Sequence, residues 1–261
     1  MDLQLKGKRA LVSGSTAGIG YAIAEALAKE GTDVIISGRT QVAVDNAIER
    51  IRQATGHIVQ GYAGDLTQAS AAESLFAVYP QVDILVNNLG IFEPKAFEDI
   101  PDMDWTRFFD VNVLSGVRLA RQYLGGMKQK NWGRVIFISS ESGVQIPSEM
   151  IHYGMTKSAQ IAVARGLAEA VAGTGITVNS VLPGPTKSRG VEDFVEALAA
   201  GKSFEEFEQE FFDKVRPTSL IKRFATPDEV AAMVTYLASP LASATTGAAM
   251  RVDGGVIKSA F

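Results

Sequence analysis

The chain of 261 residues contains no cysteine, only two histidines and no long hydrophobic run. The absence of cysteine excludes disulfides, thiolate zinc sites, iron–sulfur clusters and cysteine nucleophiles. Two histidines, His57 and His152, are too few for a multi-histidine metal site, so we expect no metal. We find neither a signal-peptide core of about 7–15 apolar residues nor an apolar run of about 18 residues, and therefore expect no membrane span.

An excess of charge of one sign is also lacking. The 25 basic and 29 acidic residues give a formal net charge of −4. Binding to nucleic acid or to an anionic membrane usually requires a basic surface, so neither partner is expected. The content of 46% hydrophobic and 21% charged residues is typical of a globular protein. We therefore expect one domain over residues 1–261, located in the cytoplasm.

Short β-branched segments alternate along the chain with longer segments of helical spacing. The predicted strands are Arg9–Ser13, Asp33–Ser37, Ile58–Tyr62, Asp83–Asn87, Arg134–Ser139, Ile176–Val181 and Ala248–Val252. The predicted helices are Gly18–Glu30, Gln41–Thr55, Gln68–Tyr79, Met103–Lys130, His152–Ala172 and Pro227–Ala238. Continuously apolar strands are buried on both faces, and strands joined through helices lie parallel. The pattern predicts an α/β fold with one doubly wound parallel sheet, which binds ligands beyond the carboxyl ends of its strands.

A glycine-rich loop with the spacing G-x-x-x-G-x-G follows the first predicted strand. Gly14 would turn the chain, Gly18 would let the backbone approach a pyrophosphate, and Gly20 would let the helix pack on the strand. The alternative is a tight turn without a ligand, whereas a hydrolase nucleophile elbow is excluded because Thr16 stands where that motif needs serine. The loop residues predicted to bind a dinucleotide are Gly14, Ser15, Thr16, Gly18, Ile19 and Gly20.

Tyr153 and Lys157 stand four residues apart in a predicted helix and therefore share one face. A tyrosine that exchanges protons at neutral pH needs its pKa lowered from about 10 to about 7, which corresponds to roughly 4 kcal/mol. An ammonium about 4 Å away supplies about that amount. We therefore expect Lys157 to lower the pKa of Tyr153. A hydroxyl from Ser139 or Ser140, at the end of a buried strand, could bind a substrate carbonyl that Tyr153 protonates.

With these motifs together, the chain resembles the short-chain dehydrogenase/reductase family, in its single-domain form, over nearly its whole length. The resemblance extends to the Val-Asp-Gly-Gly segment at 252–255. It implies a Rossmann-like fold and the catalytic residues Ser140, Tyr153 and Lys157, with Ser140 preferred over Ser139 and Ser142 because it lies thirteen residues before Tyr153, as is usual in the family. It also implies a fourth catalytic residue, Asn112, which would hold a water that connects Lys157 to solvent.

The resemblance assigns further positions to the cofactor. Asp65 would contact the adenine, although an N-cap of the following helix is an open alternative. Leu89 replaces the alanine that is usual in the family and adds bulk beside the cofactor. A hydroxyl at either Thr186 or Ser188 would meet the nicotinamide amide, and the sequence does not decide between them. The assigned positions are Asp65, Leu66, Asn88, Gly90, Pro183, Gly184, Thr186 and Ser188.

The end of the second predicted strand bears on the choice between NAD and NADP. An NAD site needs a carboxylate there to accept the ribose 2′-hydroxyl, and no acidic residue is present. Arg39, with hydroxyls from Ser37 and Thr40, suits a 2′-phosphate instead. We therefore expect NADP(H) in preference to NAD(H), although Ala17 stands where many NADP-using relatives have a basic residue.

The stretch before Thr226 is rich in phenylalanine and predicts an apolar substrate lid at about 186–222, with ordinary core packing as the alternative. The phenylalanines are Phe194, Phe204, Phe207, Phe211 and Phe212. The resemblance implies a homotetramer or homodimer that pairs through the segments Trp105–Tyr123 and Ser158–Ala172. His152, beside Tyr153, is expected to pack or to line the site.

We therefore expect an NADP(H)-dependent oxidoreductase that interconverts a ketone and a secondary alcohol. The alternatives are an NAD-dependent alcohol or sugar dehydrogenase and a 3-oxoacyl-carrier-protein reductase, for which we find no basic docking patch. A non-catalytic cofactor sensor is disfavoured because all four catalytic positions are filled. The sequence does not identify the substrate.

Overall fold

The structure is a computed structural model that describes residues 2–187 and 203–260. Seven parallel strands form one sheet in the order β3-β2-β1-β4-β5-β6-β7. The strands are β1 (Arg9–Val12), β2 (Asp33–Gly38), β3 (Gln60–Ala63), β4 (Ile84–Asn87), β5 (Gly133–Ile138), β6 (Ile176–Pro183) and β7 (Ala249–Val252). The strand order reverses between β1 and β4, so the predicted doubly wound sheet is confirmed.

Helices cover both faces of the sheet. They are α1 (Gly18–Lys29), α2 (Gln41–Thr55), α3 (Ala69–Val78), α4 (Asp102–Phe109), α5 (Ser115–Lys130), α6 (Ile151–Ala170), α7 (Phe204–Glu210) and α8 (Pro227–Ala238). Ala10 and Val12 of β1 pack with α1, α2 and α8, whereas Leu11 packs with α3, α5 and α6. Alternate residues of one strand therefore enter different cores, which explains why the strands are apolar throughout. Among the described helices, we find none with the length and apolar character of a membrane span.

The long predicted helix Met103–Lys130 is divided in the structure. α4 ends at Phe109, a π-helical turn covers Asp110–Leu114, and α5 begins at Ser115. The wider turn contains Asn112, which is fully buried. The sequence pattern predicts one continuous helix and did not reveal this turn; such turns often occur at functional sites.

The third strand is shifted from the predicted position. The sequence predicts Ile58–Tyr62, whereas β3 spans Gln60–Ala63 and pairs with the end of β2. Ile58 is 80% exposed, so its β-branched side chain contributes nothing to the core. The position of this edge strand depends on pairing with β2 rather than on local β-propensity.

The carboxyl ends of β1, β4, β5 and β6 meet at one edge of the sheet. The glycine loop follows β1, residues 88–90 follow β4, Ser140 follows β5, and Pro183 ends β6. Nearly all the polar residues singled out by the sequence therefore lie at the edge where doubly wound sheets bind ligands.

Gly20 provides a test of this packing, because α1 approaches the loops after β1 and β4 at this residue. A Cβ atom at Gly20 would overlap the Asn88 amide nitrogen and lie 2.5 Å from the Gly14 carbonyl oxygen. We expect Gly20→Ala to reduce the free energy of unfolding in urea by about 2–3 kcal/mol. Gly125→Ala on α5 is the control, since no heavy atom lies within 4 Å of its Cβ position. The control should leave stability unchanged or raise it by up to about 1 kcal/mol, and equal stabilities would contradict the close approach.

Candidate active site

The glycine loop is held against β2 by paired hydrogen bonds. The N–H of Ser15 donates to the Ser37 carbonyl at 2.9 Å, and the Ser15 hydroxyl accepts from the Ser37 N–H at 2.9 Å. The Ser15 hydroxyl also donates to the Val12 carbonyl at 2.7 Å, and Ser15 is fully buried. Ser15 was predicted to contact the dinucleotide, but its polar groups are used to fix the loop.

The residues proposed to bind a 2′-phosphate have different roles in the structure. The Ser37 hydroxyl is buried and accepts a hydrogen bond from the Gly14 N–H at 3.1 Å, so it is not free for a ligand. Thr40 caps the N-terminus of α2 by accepting from the Ala43 N–H. Arg39 is exposed and has no hydrogen bond or ion pair with the described residues. Of the three predicted groups, only the Arg39 guanidinium is unengaged.

The start of α1 is suited to an anion such as a pyrophosphate. Gly14 and Gly18 have positive φ angles of 61° and 57°, so the loop uses the conformation that glycine allows. The N-cap residue Ala17 provides no side-chain hydrogen bond to the first turn. Thr16 packs where a Cβ atom at Gly38 would be, with its Cγ2 atom 2.5 Å from that position. The first N–H groups of α1 therefore remain available to a phosphate, and Ile19 lines the adjacent cavity.

Asn88 and Leu89 support the glycine loop from β4. The Asn88 side-chain amide donates to the carbonyls of Ser13 and Gly14, both at 3.0 Å. The Ser13 hydroxyl accepts from the backbone N–H groups of Asn88 and Leu89. The Cδ1 atom of Leu89 lies 3.2 Å from the position that a Cβ atom at Gly14 would occupy. The leucine that departs from the family's alanine thus packs on the loop.

Asp65 and Leu66 lie in the turn between β3 and α3. Asp65 is exposed, and its Oδ1 atom accepts from both the N–H and the hydroxyl of Thr67. The N-cap of α3 is Gln68, so Asp65 shapes the turn but is not the helix cap. The Leu66 side chain is buried in the core on the α3 side of the sheet, which leaves only its backbone for a ligand.

Three of the four predicted catalytic residues converge on a cavity of about 620 Å³. Ser140, Tyr153 and Lys157 all line it. The Ser139 hydroxyl donates to the Lys157 carbonyl at 2.8 Å and therefore supports α6. Ser140 is instead hydrogen-bonded to the Tyr153 phenol. The geometry thus favours Ser140 over Ser139, as the thirteen-residue spacing predicts.

Burial dominates the electrostatics of Tyr153 and Lys157. Burial raises the pKa of Tyr153, although the hydrogen bond with Ser140 and the charge of Arg216 oppose this rise. Burial lowers the pKa of Lys157 to about 7. The Lys157 Nζ atom lies 5.5 Å from the centre of the Tyr153 ring and donates to the Ile138 carbonyl at 3.0 Å. The expectation that Lys157 lowers the pKa of Tyr153 is not met in this geometry, because burial is the largest cause of the shift and Ser140 and Arg216, rather than Lys157, are the groups that oppose it.

Asn112 fixes the segment after β4 rather than lining the cavity. Its Oδ1 atom accepts from the Ile91 N–H at 2.8 Å, and its Nδ2 atom donates to the Ile91 carbonyl and to the Thr156 hydroxyl. A Cβ atom at Gly90 would lie 3.4 Å from both Asn112 Oδ1 and Lys157 Nζ. Gly90 therefore lies between the two side chains. Both amide hydrogens of Asn112 are used in hydrogen bonds, whereas its Oδ1 atom keeps one of its two lone pairs as a free acceptor.

Pro183 and Gly184 bring the end of β6 to the cavity. A Cβ atom at Gly184 would lie 2.6 Å from the Asp253 carbonyl oxygen, so glycine is required there. Thr186 lines the cavity, and its hydroxyl donates to the Gly184 carbonyl at 2.9 Å. Ser188 lies outside the described residues, so the choice between Thr186 and Ser188 stays open.

Aromatic residues from the predicted lid form one wall of the cavity. Phe207 and Phe211 line it together with Phe224, and the ring centres of Phe211 and Phe224 are 5.0 Å apart. Phe212 is buried behind them, whereas Phe204 packs on Phe224. The described part of the predicted lid therefore combines both alternatives, cavity lining and core packing. Phe194 lies outside the described residues.

His152 is a packing residue, as expected. It is fully buried, and its ring centre lies 4.0 Å from that of Phe108. Neither ring nitrogen has a hydrogen-bond partner among the described residues. Burial lowers the pKa of His152, which is consistent with a neutral ring in an apolar environment.

Sequence reasoning missed a buried charged group beside Ser140. Glu141 is 4% exposed and accepts a hydrogen bond from the Ser140 hydroxyl at 2.6 Å. Arg216 pairs with Glu141 at 3.1 Å and with Glu149 at 3.0 Å. The position of Glu141 directly after the predicted catalytic serine could have drawn attention to it. No local signal identifies Arg216, which stands 75 residues further along the chain.

Comparisons with known proteins find relatives that match nearly the whole chain. A family model described as enoyl-(acyl carrier protein) reductase matches residues 14–257. The uncharacterized oxidoreductase YvaG of Bacillus subtilis is 50% identical over 264 residues, covering 100% of both chains. The D-beta-hydroxybutyrate dehydrogenase of Cupriavidus necator is 37% identical, covering 96% of this chain and 98% of that protein.

A solved structure shows the same fold over nearly the full length. L-Sorbose reductase from Gluconobacter frateurii, complexed with NADPH and L-sorbose, superposes with a TM-score of 0.93 and 31% identity. The match covers 99% of this chain and 100% of the reductase. These matches show that the chain belongs to the short-chain dehydrogenase/reductase family and is an oxidoreductase.

Proposed function

We propose that this enzyme interconverts a ketone and a secondary alcohol with NADP(H), and that Tyr153 transfers the proton. The observation that carries this proposal is the convergence of Ser140, Tyr153 and Lys157 on one cavity beside the glycine loop. The dinucleotide, when bound, supplies or accepts the hydride. The N–H groups at the start of α1 would hold its pyrophosphate, and protein side chains would donate or accept the proton that accompanies hydride transfer.

The raised pKa of Tyr153 suits the reducing direction. A phenol that stays protonated at neutral pH can donate its proton to the oxygen of a ketone as the carbonyl carbon is reduced. Ser140, hydrogen-bonded to Tyr153, would orient the same oxygen. Lys157 can exchange a proton near neutrality because its pKa is about 7, and it can stabilise the phenolate that forms. Asn112 keeps Gly90 and Lys157 in position through its bonds to Ile91 and Thr156.

Three observations support NADP(H) over NAD(H). Arg39 is exposed and unpaired within the described residues, and no acidic side chain follows β2. An arginine fork binds a 2′-phosphate well. L-Sorbose reductase, a structural relative, is complexed with NADPH.

The cavity favours an uncharged carbonyl substrate. Phe92, Phe207 and Phe211 contribute aromatic surface. Apart from Lys157, the cations among the described lining residues are Arg216 and Lys214, and each is paired with glutamate. Among the described lining residues other than Lys157, no unpaired cation therefore remains to bind a carboxylate. The predictions of a cytoplasmic location and of a homodimer or homotetramer stay predictions.

The role of Tyr153 can be tested by substitution. We expect Tyr153→Phe to lower kcat by about 10²–10⁴-fold, because the proton donor is lost while the ring remains. The substrate for the assay is first identified by NADPH consumption across ketones, β-keto esters and quinones. Cofactor binding, measured by fluorescence titration, should change little. A variant that retains most of the wild-type kcat would remove Tyr153 from this role.

The cofactor preference can be tested by steady-state kinetics. We expect kcat/KM to be at least about tenfold higher with NADPH than with NADH, as a charged hydrogen bond to phosphate predicts. Arg39→Gln should reduce the NADPH value by about 10–100-fold and leave the NADH value almost unchanged. Arg52→Gln, at an exposed ion pair on α2, is the matched control. An equal or higher kcat/KM with NADH would refute the preference.

The depressed pKa of Lys157 predicts a pH dependence of stability. Between the folded pKa of about 7 and the unfolded value of 10.5, the unfolded chain binds more protons, so the free energy of unfolding rises with pH. From pH 7 to pH 9, the wild type should gain about 2 kcal/mol relative to Lys157→Met, which cannot titrate there. Urea denaturation at both pH values, without added cofactor, provides the measurement. Parallel changes in the two proteins would show that burial does not depress the pKa of Lys157.

A further inference from the structure

Glu141 holds two serine hydroxyls directly beneath the proposed acid–base site. Its Oε2 atom accepts from the hydroxyls of Ser140 and Ser142, each at 2.6 Å. Its Oε1 atom accepts from Arg216 Nε at 3.1 Å. Glu141 is 4% exposed, so these three donors replace the water that a carboxylate would otherwise bind.

Arg216 connects this carboxylate to the segment that carries the aromatic wall. It follows the π-helical turn Phe211–Val215 and is 9% exposed. Its NH1 group donates to Glu149 at 3.0 Å and to its own neighbour, the Val215 carbonyl. The proposed hydride and proton transfers give no role to either Glu141 or Arg216.

Ser140 has a single hydroxyl proton, for which the Glu141 carboxylate and the oxygen of a bound ketone would compete. In the structure it is directed to Glu141, while the Ser140 oxygen accepts from the Ser142 N–H at 3.1 Å. Ser140 can donate to a ketone oxygen only if it turns away from the carboxylate. Glu141 then keeps Ser142 and Arg216 as donors, so its charge is not left unsatisfied.

Resting on the proposed function, we infer that Glu141 and Arg216 form a charge-balanced positioning pair, in which Glu141 orients the Ser140 hydroxyl and Arg216 limits how tightly Glu141 retains it. Without Arg216, a buried and more negative carboxylate would compete more strongly for the Ser140 proton. Without Glu141, the Ser140 hydroxyl would lose the group that orients it, but the ketone oxygen would no longer compete with a carboxylate for the Ser140 proton.

The electrostatics of Tyr153 give this pair a measurable signature. Beyond the dominant effect of burial, the charge of Glu141 raises the pKa of Tyr153 and the charge of Arg216 lowers it. Among the described residues that line the cavity, the other charged groups are Lys157 on α6 itself, Glu149 before α6, and the paired Lys214 and Glu210 at and just after the end of α7. Substitution of Glu141 and substitution of Arg216 should therefore move the pH profile of activity in opposite directions.

The test uses the enzyme with NADPH and its best ketone, and compares E141Q, R216M and the double variant E141Q/R216M. We expect R216M to lower kcat by about tenfold or more and to raise the pKa seen in kcat/KM, whereas E141Q should lower that pKa. The double variant should recover most of the activity lost in R216M, because the unbalanced carboxylate is gone. R52M, at the exposed pair with Glu49, controls for loss of an Arg–Glu pair elsewhere.

A double variant no more active than R216M, or pKa shifts of the same sign in E141Q and R216M, would overturn the inference and indicate a merely structural pair. If R216M does not fold, R216K and E141Q decide the matter: R216K should keep the wild-type pKa, and an E141Q profile identical to that of the wild type overturns the inference. Wild-type turnover and Tyr153→Phe are measured in parallel. A wild type without turnover, or a Tyr153→Phe variant that retains most of the wild-type kcat, refutes the proposed function itself and with it the inference that rests on it.

Discussion

The desolvation of Tyr153 and Lys157 at a single cavity wall is the constraint on which the site depends. Water stabilises a phenolate and an ammonium, and its removal drives their pKa values apart, upward for Tyr153 and downward for Lys157. The protein compensates with fixed groups: the Ile138 carbonyl accepts a hydrogen bond from Lys157, and Ser140 is hydrogen-bonded to Tyr153. Both supporting groups lie at or just after the end of β5, so the sheet edge itself provides the polar environment that a buried proton-transfer site requires.

The glycine loop illustrates how much of a binding site serves to fix the backbone. The side chains of Ser13, Ser15, Ser37 and Asn88 all bond to backbone groups around the loop. Ser15, Ser37 and Asn88 were predicted to contact the cofactor, yet their side-chain hydrogen bonds are made within the protein. Their effect is to leave the N–H groups at the start of α1 preorganised and without a side-chain cap. The chain thus presents a phosphate with backbone donors whose position is determined by side chains.

Prediction from the sequence succeeded where the physical signal is local. Continuous apolar segments identified the central strands β1, β2, β4, β5 and β6, because a strand buried on both faces has no polar side. The four-residue spacing of Tyr153 and Lys157 was sufficient because a helix determines which residues share a face. It failed where the outcome depends on distant groups: Ile58 has strong β-propensity but lies outside β3, and the π-helical turn around Asn112 was not predicted. The sequence analysis expected a lowered pKa for Tyr153, whereas burial raises it, because the four-residue spacing of Tyr153 and Lys157 does not show how deeply the two side chains are buried.

The sequence by itself determined the doubly wound sheet, the glycine loop and the residues at the carboxyl edge of the strands, because periodicity and backbone sterics act over a few residues. Only the tertiary structure decided which of those residues reach the cavity, since this depends on how four strand ends meet. The tertiary structure shows that the Ser139 hydroxyl is bonded to the backbone of Lys157, which favours Ser140 as the catalytic serine. It also shows that Glu141 pairs with Arg216, which lies 75 residues further along the chain. Ion pairing of buried charges depends on distance in space, and no pattern along the chain encodes that distance.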